Sequence, residues 1–325
     1  MNKRGYEFSF AWIFTLIVGA AIIFLAIYAA FQFSDSLRFG RDSATAKKIG
    51  VLLTPLETNL ESGKSYPLLV SEETTIFNGC VEPSVTNFFG SQEISVAIKS
   101  QIAKDDDGEV PGVKSRFNNK YVFSDNRTTG KKEFYVLSKP FHYPFKIADL
   151  TILWSDQEEY CFVEPDINIQ REINDLGLQN ISIVNETCDD KINVCFNGES
   201  CEIEVSGRSV TKQGITVKYT ESTRTDDKYA LLFAAIFSDP KEYNCQLHRL
   251  AARAESLAKL NLQKSINLGS DGCSPIRDDL ETYIDSAVAL KGTSISDDLN
   301  GAPSPDFAQI DPTDLKTKNA LCKRF

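Results

Sequence analysis

Histidine is scarce in this 325-residue chain, which restricts the catalytic chemistry that the chain can carry. The two histidines are His142, in a proline-bounded aromatic segment, and His248, beside the apolar face of a predicted helix. A serine or cysteine nucleophile activated by an imidazole base would need one of them. The sequence also contains no phosphate-binding glycine loop, dinucleotide-binding glycine pattern or zinc-protease signature. We therefore predict no catalytic histidine, no cofactor and no enzymatic activity.

Carboxylates are the other residues that could support catalysis. The chain contains 45 Asp and Glu residues, so pairs suitable for acid–base hydrolysis exist, although sequence gives no distances between them. Residues 105–109 form an acidic run of the oxygen ligands that Ca²⁺ prefers, but without alternating ligand spacing, and a solvated loop is favoured. A carboxylate-based extracellular hydrolase is the alternative function.

The eight cysteines suggest an oxidised protein. Their number is even, they are spread along the chain, and no Cys-x-x-Cys motif or zinc-finger spacing occurs. This pattern is typical of disulfides in an extracytoplasmic domain, with buried reduced thiols as the alternative. The cysteines are Cys80, Cys161, Cys188, Cys195, Cys201, Cys245, Cys273 and Cys322.

Two disulfide pairings can be considered from local sequence. Cys195 and Cys201 flank an Asn-Gly turn between two short apolar runs, so a hairpin would bring them within bonding distance. Cys245 and Cys273 lie at opposite ends of a predicted helix and cannot meet. Cys322, in the polar C-terminal segment, is a candidate partner for Cys245.

Three Asn-x-Ser/Thr sequons, at Asn126, Asn180 and Asn185, fit a glycosylated outer surface. The formal net charge of −10 and the lack of a Lys/Arg cluster argue against nucleic acid as a partner. Together with the cysteines, these features predict a body outside the cytoplasm.

An uncharged stretch dominates the N-terminus. After a short tail, residues 1–7, the next charged side chain beyond Glu7 is Asp35, and the residues between are mostly Phe, Ile, Leu, Val and Ala. About 20 apolar residues suffice to span a bilayer, so residues 8–33 predict a transmembrane helix in contact with lipid. A cleaved signal peptide is the alternative. The prediction is a single-pass protein of the cell membrane.

The remainder predicts an α+β body. Residues 34–65 have a partial apolar stripe and predict a helical stalk, and residues 66–225 contain short period-two runs that predict a mainly antiparallel β-rich domain. Residues 226–292 predict a helical pair packed on it, the first helix starting at Asp239-Pro240. The polar residues 293–325 predict a largely disordered tail.

The N-terminus also resembles the type IV pilin-like family, in its archaeal form, over about 35 residues. A basic pair, Lys3-Arg4, and Gly5 precede Tyr6, Glu7 and a long apolar helix. The resemblance implies cleavage after Gly5 by a prepilin peptidase, with Glu7 as the acidic residue, and a helix that serves as anchor and assembly core. Glu7 stands closer to Gly5 than the family's acidic residue usually does, and a plain signal anchor fits the same residues.

These expectations combine into a functional prediction. The chain is expected to be an extracytoplasmic envelope protein with an adhesion, binding or assembly role, and the pilin-like resemblance implies a minor pilin-like subunit. The expected partners are membrane lipid, through residues 8–33, and another protein or further copies of the chain.

Overall fold

The computed structural model describes residues 12, 14–30, 65–99, 114–177, 180–196, 201–267, 276–292 and 305–322. Residues 14–30 form helix α1, whose large apolar side chains are mostly more than half exposed. Among the described residues, no helix combines the length and apolar character needed to cross a bilayer. This finding contradicts the transmembrane helix predicted over residues 8–33, of which residues 12 and 14–30 are described.

Fourteen strands and five further helices make up the described body. The strands are β1 (Ser65–Leu69), β2 (Thr74–Val81), β3 (Ser91–Ile98), β4 (Ser115–Phe117), β5 (Val122–Phe123), β6 (Arg127–Gly130), β7 (Glu133–His142), β8 (Lys146–Ser155), β9 (Tyr160–Val163), β10 (Ile181–Val184), β11 (Ile192–Cys195), β12 (Ile203–Ser206), β13 (Ser209–Lys212) and β14 (Ile215–Lys218). The helices are α2 (Ile167–Leu176), α3 (Ala230–Phe237), α4 (Pro240–Asn267), α5 (Ile276–Lys291) and α6 (Thr313–Cys322).

The central sheet has the order β1-β7-β8-β5, and its middle strands β7 and β8 are largely buried on both faces. Successive side chains of a strand point to opposite faces, and β7 follows this alternation. Phe134 and Val136 pack with Ile76, Ile94 and Val96 of a second sheet. That second sheet has the order β4-β3-β2-β6 and is antiparallel throughout. The pairings in these two sheets are antiparallel, except that β5 pairs with β8 in parallel.

The other face of the central sheet packs against helices. Tyr135 and Leu137 of β7 and Trp154 of β8 join the main core with α3, in which all eight residues are buried. A helix that is apolar all round is stable only when surrounded by protein. Trp154 and Phe237 stack with ring centroids 4.7 Å apart, so α3 fills the interior of the body.

The third sheet differs from the prediction because it is partly parallel. Its order is β10-β9-β11-β12-β13-β14. Strands β10, β9, β11 and β12 pair in parallel, and only the last two pairings are antiparallel. Helix α2 forms the crossover between β9 and β10, as parallel strands require. The short period-two runs do not distinguish the two directions, and the mainly antiparallel prediction is wrong for this sheet.

Helices α4 and α5 follow and pack against each other, and α4 also packs against strands of all three sheets. The predicted start of the first is present: the Asp239 carboxylate accepts a hydrogen bond of 2.8 Å from the Lys241 amide, and α4 begins at Pro240. Glu255 of α4 is 2.6 Å from Lys291 of α5 and joins the two helices. The described body is thus α+β with a C-terminal helical region.

The C-terminal segment is more ordered than its composition predicts. Residues 305–322 form a short 3₁₀ turn, Phe307–Gln309, and helix α6. Phe307, Ile310 and Leu315 are buried in the main core, and the Phe307 ring packs edge-on against Phe141 at 5.4 Å. The disordered-tail prediction is wrong for these residues, because three spaced apolar side chains are enough to dock them. The predicted stalk lies outside the described residues, except for Ser65 in β1.

Candidate functional site

Three disulfides stabilise the described body and confirm the prediction that the cysteines are oxidised. They join Cys80 to Cys245, Cys161 to Cys188, and Cys195 to Cys201. Disulfides persist in oxidising compartments, so they indicate an extracytoplasmic or secreted location. Cys245 lies on α4 with its Cα atom 6.1 Å from that of Cys80 on β2. Its predicted pairing with Cys322 is wrong, because the contact between α4 and β2 cannot be inferred from local sequence.

The Cys195–Cys201 pair is the one suggested by the sequence, but the backbone around it is not a hairpin. Strands β11 and β12 run parallel, with Val194 opposite Ile203. The Cα atoms of the two cysteines are 6.0 Å apart, a normal separation for a disulfide. The disulfide therefore joins the end of β11 to a residue just before the parallel strand β12.

A cleft of about 890 Å³, which we call the acidic cleft, opens beside two of these disulfides. Cys188 and Cys201 are part of its wall. Its charged lining residues are Glu158, Glu159, Asp189, Asp190, Glu202 and Lys191. Lys191 is 3.2 Å from Glu159, which leaves the remaining carboxylates in excess. A concave surface lined by one sign of charge concentrates ligands of the opposite sign, so this cleft attracts cations.

Asn193 fixes the floor of the acidic cleft. Its amide oxygen accepts a hydrogen bond of 2.8 Å from the Cys188 backbone N–H, and its amide nitrogen donates to the Cys188 carbonyl at 3.1 Å. The Asn193 backbone N–H donates to Glu202 at 3.1 Å. These contacts, with the two disulfides, hold the cleft wall in one arrangement before any ligand binds.

Two carboxyl groups of the acidic cleft have pKa values shifted in opposite directions. Burial raises the pKa of Glu158, and the hydrogen bond from the Ser155 backbone N–H, 2.9 Å long, opposes this shift. Backbone N–H groups lower the pKa of Glu202 by stabilising its charged form. Such divergence is a feature of acid–base pairs in hydrolases, although it also arises in structural networks.

A second, smaller cavity of about 400 Å³, the His142 pocket, lies where the end of β7 meets a 3₁₀ turn at Thr225–Asp227. Its lining residues are Lys139, Pro140, His142, Lys146, Arg224, Asp226 and Asp227. The Nδ1 atom of His142 is 2.6 Å from Oδ2 of Asp227. Nothing in the sequence links these two residues, which are 85 positions apart.

Lys139 is the buried cation of the His142 pocket. Its ammonium contacts the Glu172 carboxylate of α2 and lies 5.7 Å from the centre of the Phe233 ring. Burial lowers the pKa of Lys139 to about 8, a shift that Asp227 and Asp226 partly oppose. A lysine with this pKa is partly neutral at pH 8.

The other predicted site residues are scattered. His248 is fully buried on α4, with Nδ1 3.7 Å from the Glu82 carboxylate, so it does not line either cavity. Asn126 and Asn185 are exposed, as glycosylation requires, whereas Asn180 is half-buried and donates to the Asp156 carbonyl at 3.4 Å. Gly5, Tyr6, Glu7 and the acidic run of residues 105–109 lie outside the described residues.

Within the described ranges, His, Cys, Asp and Glu side chains form no group of three or more arranged to bind a metal ion. No family model, curated protein or solved structure matches this chain.

Proposed function

We propose that the protein is an extracytoplasmic binding or assembly protein, whose acidic cleft takes a basic segment of a protein partner. The observation that carries this proposal is the excess of carboxylates in a cleft of about 890 Å³ whose wall contains two disulfide-bonded cysteines. Asp189 and Asp190 have exposed side chains that a lysine or arginine of a partner can reach without rearrangement, and Glu159 can exchange its partner Lys191 for such a cation.

The rigidity of the cleft wall supports binding over a purely solubilising role for these acids. A surface that is already held in its bound conformation loses little conformational entropy on association. Electrostatic complementarity of this kind sets specificity and association rate more than total affinity, and it weakens as salt rises. The proposed interaction is accordingly salt-sensitive.

Pilin-like assembly through the N-terminal helix α1 stays a prediction. Helix α1 exposes Phe14, Ile17, Ile23, Phe24 and Leu25, all by more than half. A surface this apolar needs a cover of lipid or protein, and the pilin-like resemblance favours assembly with other chains. Mass spectrometry of the mature protein would find an N-terminus at Tyr6 if prepilin-type processing occurs, and an N-terminus elsewhere would remove the pilin-like version.

A peptide-binding experiment tests the acidic cleft. We expect an oligolysine peptide to bind the wild-type protein, and oligoglutamate not to bind. The triple substitution E159Q/D189N/D190N should raise the Kd for oligolysine by about tenfold at low salt, because three opposing charges are removed. A matched control, E72Q/E281Q/D285N, removes three exposed acids outside the cleft lining. Equal loss in both variants would show a general charge effect and contradict the assignment.

A carboxylate-based hydrolase is the second candidate, because Glu158 and Glu202 have opposite pKa shifts in one cleft. In that case Glu158 would act as the acid and Glu202 as the base or nucleophile. E158Q keeps an acceptor for the Ser155 N–H and removes the proton. Hydrolysis of aryl glycosides by the wild type, lost in E158Q, would support this candidate, and no hydrolysis by the wild type would remove it.

A further inference from the structure

Strand β10 is an edge of the third sheet, with hydrogen-bonding groups on its outer side that no strand pairs. It pairs with β9 on one side, and among the described elements only β9 contacts it extensively. The carbonyls of Asn180 and Val184 point towards β9, where they accept backbone hydrogen bonds of 2.9 and 3.0 Å. Backbone groups along a strand point alternately to its two sides, so the N–H and C=O groups of Ile181 and Ile183 point away from β9. Within the described part of the chain, these outward groups have no hydrogen-bond partner.

The composition of β10 is unusual for an edge strand. Unpaired edges accept further strands, and proteins commonly block them with charged side chains, with proline or by keeping the strand very short. The other five edge strands of the described sheets follow this rule: β1 contains Pro67, β4 Arg116, β6 Arg127 and β14 Lys218, and β5 has two residues. Strand β10 reads Ile-Ser-Ile-Val, without a charge or a proline, and all four residues are only half-buried. It is therefore the described edge best suited to accept an added strand.

The start of β10 lies next to the acidic cleft. Ile181 pairs with Tyr160, and Glu158 and Glu159, which line the cleft, immediately precede Tyr160 in the chain. Neighbouring strands lie about 4.8 Å apart, so a strand added to β10 would run about 10 Å from β9. A lysine or arginine at the matching end of the added strand can extend its charge towards the carboxylates of the cleft. The edge and the cleft thus suit one extended segment with a basic end.

From this arrangement we propose that the free edge of β10 binds the extended part of the partner segment whose basic end enters the acidic cleft. The proposal rests on the function proposed for the cleft and specifies the partner: an uncharged stretch about as long as the 4-residue β10, adjoining lysines or arginines. The backbone of this stretch pairs with Ile181 and Ile183. In such strand addition, the main-chain hydrogen bonds supply affinity, and here the basic end sets the orientation.

Fluorescence anisotropy with synthetic peptides tests the proposal on the full-length protein. The probes are Lys-Lys-Lys-Thr-Val-Thr-Val for parallel addition, Thr-Val-Thr-Val-Lys-Lys-Lys for antiparallel addition, and trilysine for the cleft alone. We expect one of the two long peptides to bind about tenfold tighter than trilysine, because it adds backbone hydrogen bonds. Equal affinity of trilysine and both long peptides would overturn strand addition and leave the function of the cleft intact. Failure of the cleft itself would appear separately, as trilysine binding that E159Q/D189N/D190N does not weaken.

Methylation of the peptide amides separates strand pairing from simple apolar contact. Only alternate N–H groups of an added strand face β10, so N-methylation of one alternate pair in the Thr-Val stretch should weaken binding about tenfold, and of the other pair less than about twofold. The two methylated peptides have the same composition, so each is the control for the other. Equal weakening by the two methylation patterns would overturn the proposal.

A variant of the edge itself gives the matching test on the protein. I183P removes one outward N–H and leaves the hydrogen bonds to β9 in place, and proline is tolerated on an edge strand where the N–H faces solvent. It should weaken the long peptide about fivefold and leave the affinity for trilysine unchanged, which also shows that the cleft is folded. The same affinity of the long peptide for I183P and the wild type would contradict pairing at this edge.

Discussion

At the scale of single residues, Arg249 is a buried cation whose three guanidinium nitrogens all donate hydrogen bonds. It is fully buried on α4, yet its donors contact only neutral groups. Nη1 donates to the Lys120 carbonyl and to the Gln246 side chain, each at 2.7 Å, and Nη2 donates to the Asn118 carbonyl at 3.1 Å. The guanidinium also lies 4.8 Å from the centre of the Tyr121 ring. One planar group thus joins α4 to the segment that precedes β5.

Replacing Arg249 with lysine should destabilise the protein despite the conserved charge. An ammonium cannot reach several carbonyls that a guanidinium fork spans, so buried acceptors and a buried charge lose their partners. We expect urea denaturation to show a loss of about 2–4 kcal/mol. R253K, at an exposed position of the same helix, is the control and should change stability by less than about 0.5 kcal/mol. Equal stability of R249K and R253K would contradict this role of the guanidinium.

A glycine near Arg249 shows a constraint on the backbone. Gly90 has a φ of +60°, and a Cβ there would lie 2.2 Å from the Val81 carbonyl oxygen and 3.0 Å from Cγ of Arg249. A side chain at this position would displace both the loop and the buried guanidinium. The sequence alone shows a glycine between Phe89 and Ser91, without any sign of this close approach.

At the scale of elements, local sequence predicted the start of helix α4 but not which strands pair with one another. Asp239 and Pro240 predicted the start of α4, because capping and proline geometry act within a few residues. The parallel pairing of β9 with β10 and β11 depends on which sheet edge is free, and no local signal encodes that. Local sequence likewise gives no sign of the contact between His142 and Asp227, which are 85 positions apart.

The first turn of α4 contains an acid whose burial makes folding pH-dependent. Burial is the main cause that raises the pKa of Glu242 to about 7, and Asp239 adds to the shift. A folded-state pKa above the unfolded value means that the folded protein holds the proton more tightly. The stability from this group is present below about pH 4.5 and declines as pH rises through about 7.

The substitution E242Q should remove this pH dependence. Relative to the wild type, the variant should be more stable at pH 8, by at most about 3 kcal/mol, and nearly unchanged at pH 4.5. Thermal or urea unfolding at both pH values measures the difference. E281Q, an exposed acid on α5, should show no such pH-dependent gain. A variant that is equally or less stable than the wild type at pH 8 would contradict the burial of a charged carboxylate.

At the scale of the whole molecule, the disulfides differ most in the length of chain that they close. Cys80 and Cys245 are separated by 165 positions and join the antiparallel sheet to α4, whereas Cys195 and Cys201 are separated by 6. A crosslink stabilises mainly by restricting the unfolded chain, and more strongly for longer loops. The long-range bond is therefore the main covalent support of the overall arrangement.

Removing the two bonds separately should reveal this difference. We expect C80A/C245A to lose about 5 kcal/mol and C195A/C201A about 2 kcal/mol of unfolding free energy, from the loop-entropy relation. Guanidinium denaturation of each double variant measures the losses. A larger loss of unfolding free energy in C195A/C201A would show that local structure at the cleft wall, and not loop closure, determines how much these disulfides stabilise the protein.

Both the proposed location and the preformed acidic cleft depend on the disulfides, so mapping them in protein taken from its native cells is the most direct measurement. Alkylation without reductant, followed by proteolysis and mass spectrometry, should recover linked peptides. We predict the links Cys80–Cys245, Cys161–Cys188 and Cys195–Cys201. If the same six cysteines were instead alkylated as free thiols, an oxidising location and a rigid cleft would both be contradicted.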